Sequence, residues 1–257
     1  MKKYTTLILV FFLFALAYSQ EKQPAFKEGE WLRYKMSYSG FLRAGSATLQ
    51  VKEETLNGKK VYHTIGKGWT SGPISWFFKV NDNYQSYFDK ETIKPYLFKR
   101  KIDEGGYKIN RQTIFNYQTN KANIKDIIKK TDTIVPIGDI QDMISAFYYL
   151  RNQNLDILKA GDELQVNMFF DGKTFPFRLK FLKTEILKTS YGKIKTMVFK
   201  PFVQAGRVFK ENESVTIWIT ADGNKIPIKI KASLAVGSLR AELEAYKGLA
   251  NPFEIIF

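Results

Sequence analysis

Cysteine is absent from this 257-residue chain, and histidine occurs once, at His63. Without cysteine there is no disulfide framework, no thiolate nucleophile and no lipidation site of the bacterial lipoprotein type. One imidazole and no thiol exclude the usual zinc ligand sets, a Cys–His pair and any site that needs two imidazoles. A Ser–His–Asp site would have to use His63, and no G-x-S-x-G elbow accompanies it. His63 alternates with Val61 and Ile65, which points it with them toward the core or an interface. The 25 Asp and Glu residues show no spacing that singles out a pair on one face, as glycoside hydrolysis would require. No RNP, zinc or helix-turn-helix pattern is present either, so nothing speaks for nucleic acid.

Long apolar runs are also scarce. The stretch Leu7–Ala17 covers 11 residues, too few to span a bilayer. It follows Lys2 and Lys3 and precedes Ala17-Tyr18-Ser19, the order of a secretory signal with cleavage before Gln20. The expected mature protein is therefore exported, periplasmic, soluble and not a lipoprotein. Its roughly 238 residues suffice to bury about 70–75% of the unfolded surface. Losing Lys2 and Lys3 leaves 38 basic against 25 acidic residues, a charge of +13. In an exported protein such an excess suits anionic headgroups or a membrane surface, or serves solubility alone.

What is plentiful is strand pattern. Leu32, Tyr34, Met36 and Tyr38 alternate with Trp31, Arg33, Lys35 and Ser37. Asn57-Gly58, Gly105-Gly106, Asp171-Gly172, Tyr191-Gly192 and Asp222-Gly223 supply turns. Tyr62, Thr64, Gly66 and Gly68 share one face, and such small residues let a sheet bend or let another element pack close. Gly72–Phe78 reads as one helical turn or a bulged strand, and residues 120–130 as a strand end plus a loop. One segment, 139–152, has helical period: Ile140, Met143, Ile144, Phe147 and Leu150 fall on one face, with Asp139 as N-cap. The expected fold is all-β and mainly antiparallel, a large half-open barrel of about a dozen strands with one central helix. Residues 20–257 form one domain, with possible halves 29–135 and 161–246 flanking the helix.

Three runs resemble a known family when taken together. They are Gly29–Tyr34 with Gly45-Ser46-Ala47, the helical run Gln141–Arg151, and Val215–Thr220 with Pro227-Ile228 and Gly237-Ser238-Leu239. In this order they resemble the exported bacterial family called domain of unknown function 3108. The resemblance implies an export-associated, β-rich, barrel-like fold, and it implies no activity.

Candidate site residues follow from composition and period. With 21 Phe, 14 Tyr and 4 Trp, aromatics exceed what a strand-rich core needs. Tyr34, Tyr38, Trp76, Phe77, Phe147 and Trp218 are candidate lining for a ligand cavity. Arg100 and Arg111, in the densest basic cluster of the mature chain, would meet an anionic head group. Asp142, Ser145 and Tyr149 form a polar stripe on the helix, either a solvated side or a polar pocket lining. Arg151 falls within the apolar stripe and must find a carboxylate, which suggests a structural ion pair tying helix to sheet. No metal and no cofactor are implied. The expected function is non-enzymatic binding of an apolar or amphipathic, lipid-like ligand. The alternatives are an envelope scaffold whose partner is another protein, or a carboxylate-dependent enzyme acting on glycan.

Overall fold

The computed structural model describes residues 24–202, 215–234 and 236–256; the leader expected at 1–19 lies outside them. Its strands are β1 Trp31–Tyr38, β2 Leu42–Leu56, β3 Lys59–Thr70, β4 Asn81–Asp89, β5 Pro95–Glu104, β6 Tyr107–Asn116, β7 Lys121–Asp126 and β8 Thr131–Pro136. After the helix come β9 Glu163–Phe170, β10 Lys173–Thr189, β11 Gly192–Phe202, β12 Val215–Thr220, β13 Pro227–Ser233 and β14 Ser238–Lys247. All 14 lie in one antiparallel sheet, where β1 to β8 and β14 to β9 form two consecutive blocks joined along β1 and β14. The stretch 120–130, read as a strand end and loop, is in fact β7 plus a turn. Its Lys-Ala-Asn-Ile-Lys-Asp pattern is too polar to announce a strand, and pairing with β6 and β8 makes it one.

The sheet is open, with β8 and β9 as its edges. The gap is bridged by the chain leaving β8. Ile137 N donates to Asn120 O at 2.9 Å, and Gln141 pairs in parallel with Met168 of β9. The sheet curls far enough that Phe169 of β9 meets Phe115 of β6 edge-on, with ring centroids 5.5 Å apart.

Among the described residues two helices interrupt the strands. The four-residue α1, Ile74–Phe77, settles the Gly72–Phe78 stretch as a helical turn. The nine-residue α2, Met143–Arg151, begins three residues later than the expected Asp139 start. Asp142 is the N-cap: its Oδ1 accepts from Ile144 N and Ser145 N, both at 2.8 Å, while Asp142 N donates to Ser145 Oγ at 2.9 Å. This reciprocal box defeats Asp139 because residues 139–141 are already committed to the edge of β9.

Gly66 explains how α2 seats. A Cβ at this position would lie 3.2 Å from Ile144 Cδ1 and 3.3 Å from Leu49 Cδ2, whereas one at Gly68 would meet nothing within 4 Å. Gly66→Val should therefore cost about 1–3 kcal/mol through overpacking under the helix. Gly68→Val, with its gain in strand propensity, should leave stability unchanged or raised. Thermal unfolding of the two variants checks the contrast, and equal midpoints would place the helix elsewhere.

Candidate functional site

Helix α2 turns different faces to the two blocks of the sheet. Ile144 and Tyr148 are buried with Phe26, Val51, Phe88 and Phe98 on the β2–β5 side. Met143, Phe147 and Leu150 look the other way, across a cavity of about 270 Å³. Its far wall comes from five strands: Leu164 and Met168 of β9, Phe177 and Leu179 of β10, Phe199 of β11, Ile217 and Ile219 of β12, and Pro227 and Ile230 of β13. The last two are brought to one face by a register shift opposite Trp218 and Ile219. Arg151 and Lys225 are the charged groups of the lining, and Lys225 Nζ donates to Gln153 O at 2.7 Å. Among the described residues no carboxylate, hydroxyl or imidazole enters it. Other hollows on the sheet are walled by charged groups such as Lys35, Lys188, Lys229 and Glu242.

The residues singled out for lining do not converge there. Phe147 lines the cavity. Tyr34 lies in the neighbouring core with Leu32, Ile226 and Leu243, close enough to Arg151 to feel its charge. Trp218 alternates with Ile217 and Ile219 and so sits on the opposite face, where its Nε1 donates to Glu185 Oε1 at 2.6 Å. Tyr38 lies at a turn, its hydroxyl donating to Val236 O at 2.9 Å. Trp76 and Phe77 are 82% and 88% exposed and line nothing. Aromatic content alone does not separate inward from outward rings, and Gly72–Phe78 has no period to decide it. The wall residues Leu164, Met168, Ile217 and Ile219 escaped notice although their period-two spacing was readable.

Arg100 and Arg111 face the same carboxylate. Both guanidinium groups donate to Asp171 Oδ1 at 2.8 Å, and Arg111 Nε also donates to Asp126 Oδ2 at 2.8 Å. Arg100 is buried, with its guanidinium 4.5 Å from the centre of the Phe170 ring. The pair thus clasps the β9–β10 turn to β5 and β6, which corrects the expectation of a rim open to a head group. Asp171 lies 60 or more residues from both arginines in sequence, so no local pattern announced it.

The polar stripe is corrected as well. Asp142 and Ser145 are buried against β4, where Ser86 Oγ donates to Asp142 Oδ2 at 2.5 Å. They neither face solvent nor line the cavity, while Tyr149 is half-buried. Burial pushes the Asp142 carboxyl up from 3.8 to about 6, although Ser86, Ser145 and Ile144 all donate to it and pull the other way.

Arg151 forks onto Glu30, with Nη1 to Oε1 at 2.6 Å and Nη2 to Oε2 at 2.7 Å. It also donates to Ala25 O at 2.9 Å and Asn224 O at 3.0 Å, tying the end of α2 to the segment before β1 and to the β12–β13 loop. His63 sits on the sheet face away from α2, stacked on Tyr87 at 4.0 Å, with Nδ1 2.6 Å from Glu54 Oε1 and Nε2 3.0 Å from Gln85 Oε1. Asp82 and Glu104 share a hydrogen bond, and burial first, then this contact, pushes Asp82 up to about 6. Carboxyl groups in direct contact are closer than the roughly 5 Å that a retaining glycosidase needs. Among the described residues no three His, Cys, Asp or Glu side chains gather to hold a metal ion.

The chain matches the family described as protein of unknown function (DUF3108) over residues 33–244. It belongs to the DUF3108 family. That span takes in most of β1 through most of β14 and both helices, so in this DUF3108 protein α2 and the cavity walls all fall inside the family region. Among solved structures it is similar to a beta-barrel-like protein of domain of unknown function DUF1849 from Brucella abortus. The two are 11% identical with a TM-score of 0.57, over 86% of this chain and 98% of that one. A protein with a YmcC-like fold from Bacteroides fragilis NCTC 9343 is 10% identical with a TM-score of 0.31, over 87% and 97% of the two chains. No curated protein matches the DUF3108 chain.

Proposed function

We propose that this is a non-enzymatic, exported cell-envelope protein that holds one apolar or amphipathic molecule between α2 and the curled β9–β13 wall of a half-open barrel. The carrying observation is the apolar cavity itself. A helix that packs tightly on one block of the sheet leaves about 270 Å³ beside the other, walled by Met, Leu, Ile and Phe. A hollow lined so predominantly by apolar side chains favours apolar guests. The volume falls just below the range of about 300–1,000 Å³ typical of sites for drug-sized ligands. That suits a single acyl chain or a body of similar girth, not a whole multi-chain lipid. Arg151 and Lys225 give the lining its polar end, and Lys225 is tied to Gln153 O. Among the described residues no carboxylate, hydroxyl or imidazole enters the wall, which favours holding over chemistry.

The test uses dansyl-labelled undecanoic acid as the probe, read by fluorescence enhancement, alongside native mass spectrometry of protein purified from its own source. Wild type should bind the probe, and mass spectrometry should show a co-purifying small molecule. Ile217→Trp, which fills the cavity from β12, should weaken probe binding at least about tenfold without lowering the thermal midpoint. A wild-type protein that carries no small molecule and ignores the probe would sink the proposal.

A further inference from the structure

Antiparallel connectivity sends the β1–β2, β3–β4, β5–β6, β7–β8 and β13–β14 connections to one end of the sheet. Of the sixteen large apolar side chains exposed among the described residues, eleven lie at these five connections or just inside them. Phe41 is 83%, Trp76 82%, Phe77 88% and Val236 76% exposed, and Tyr107, Ile127 and Ile128 join them. At the opposite end the connections at 57–58, 90–94, 117–120, 190–191 and 221–226 hold none of the sixteen, and only Ile157, between β8 and β9, and Ile256, paired with Lys193, are exposed there. A stable core does not require such an asymmetry, and a clustered apolar patch marks an interaction surface.

The protruding groups are held firmly. Ser39 N donates to Ser238 O at 2.7 Å, Ser71 N to Ala44 O at 3.1 Å, and Gly105 N to Lys79 O at 2.8 Å, which links four of the connections side by side. The Phe78 ring rests on Gly105, where a Cβ would come within 2.6 Å of Phe78 Cε2. Within α1, Phe78 N donates to Ile74 O at 2.9 Å and Ser75 Oγ to Gly72 O at 2.6 Å, so Trp76 and Phe77 project from a closed turn.

Charge decides among occupants. Residues 39–42, 72–79, 105–108, 127–130 and 234–237 contain no Asp or Glu, and the exposed Lys79, Lys129 and Lys130 stand among the apolar tips. Asp171, in the β9–β10 turn at this same end, is already met by Arg100 and Arg111. Tryptophan, phenylalanine and aliphatic tips interleaved with lysine match the boundary between acyl chains and anionic headgroups. A second copy of the same face would bring lysine against lysine.

We propose that this end of the sheet docks on an anionic phospholipid bilayer surface. Trp76 and Phe77 enter the headgroup–acyl boundary, and Lys79, Lys129 and Lys130 meet lipid phosphates. The surface is separate from the cavity, so filling the cavity with Ile217→Trp leaves docking intact.

The experiment is co-sedimentation of the purified chain with vesicles of phosphatidylethanolamine and phosphatidylglycerol, compared with pure phosphatidylcholine. Wild type should bind the anionic vesicles, with tryptophan emission shifted to the blue and quenched by brominated lipid. W76S/F77S should lower the partition coefficient roughly 100-fold. K129E/K130E should lower it about tenfold or more. Both doublets alter exposed positions and should keep the wild-type thermal midpoint. Absence of vesicle binding, or equal binding by W76S/F77S, would overturn the proposal. So would concentration-dependent self-association or a stoichiometric protein partner that W76S/F77S abolishes while vesicles remain unbound.

Discussion

Arg151→Ala should destabilise the protein by about 3–5 kcal/mol, because it strands a carboxylate that the fold has sealed from water. Glu30 is 0% exposed and Arg151 2%. Burial works against the guanidinium charge, and Glu30 more than compensates, so Arg151 holds its proton above the ordinary range. Aromatic rings close the site, with the Arg151 guanidinium carbon 5.3 Å from the centres of Phe147 and Tyr148 and 5.7 Å from that of Phe26. Removing the cation leaves Glu30, Ala25 O and Asn224 O without this donor, and water has no easy entry. In a protein of this size such a loss lowers the midpoint by roughly 10 °C. Glu30→Ala should cost a similar amount. The double variant R151M/E30M should lie closer to wild type than either single change, since an apolar pair abandons no buried charge. Urea unfolding of all four proteins yields the coupling energy. A cost below about 1 kcal/mol for Arg151→Ala would mean that the site is solvated.

Arg151 also shows what local period conveys. Its position in the apolar stripe of a helix was visible from spacing alone, and so was the demand for a carboxylate. Which carboxylate was not visible, since Glu30 lies 121 residues away and only the joining of β1 to β14 brings it under the helix. Strand patterns such as Trp31–Tyr38 were readable because one face is buried and the other wet, which enforces alternation. The small face of β3 was readable too, and Gly66 indeed lies under Ile144. Trp76 and Phe77 were misassigned because aromatic side chains are ordinarily buried, and their exposure is a property of tertiary structure. Arg100 and Arg111 looked like free charge because Asp171 reaches them only once the sheet curls. The polar stripe failed for a related reason. Asp142 and Ser145 satisfy one another and the helix end, so they can be buried without a ligand or solvent.

Asp142 carries the other large effect. Replacing it with alanine removes the acceptor for Ile144 N, Ser145 N and Ser86 Oγ in a fully buried spot, at an expected cost of about 3 kcal/mol or more. Asparagine keeps an oxygen toward the two backbone donors and turns its amide toward Ser86 Oγ, which can accept, so Asp142→Asn should be tolerated at pH 7. The two variants also separate cap from charge. Because the folded carboxyl titrates near 6 and the ordinary value is 3.8, the folded state binds a proton there more readily than the unfolded chain. Its contribution to stability is fully present below about pH 4 and is lost as pH rises through 6. The two-unit shift corresponds to about 3 kcal/mol across that window. Asp82 adds in the same direction. Asp89, Asp126 and Glu185 are held below their ordinary values, Asp89 and Asp126 by donors that outweigh burial and Glu185 first by Lys183, so their contributions fade at lower pH. Wild-type stability should therefore peak in the mildly acidic range. In Asp142→Asn the rise from pH 7 to 4.5 should be much reduced, because only Asp82 is left to drive it. Urea midpoints measured at half-unit pH steps check this, and parallel curves for wild type and Asp142→Asn would show that the buried cap is charged throughout.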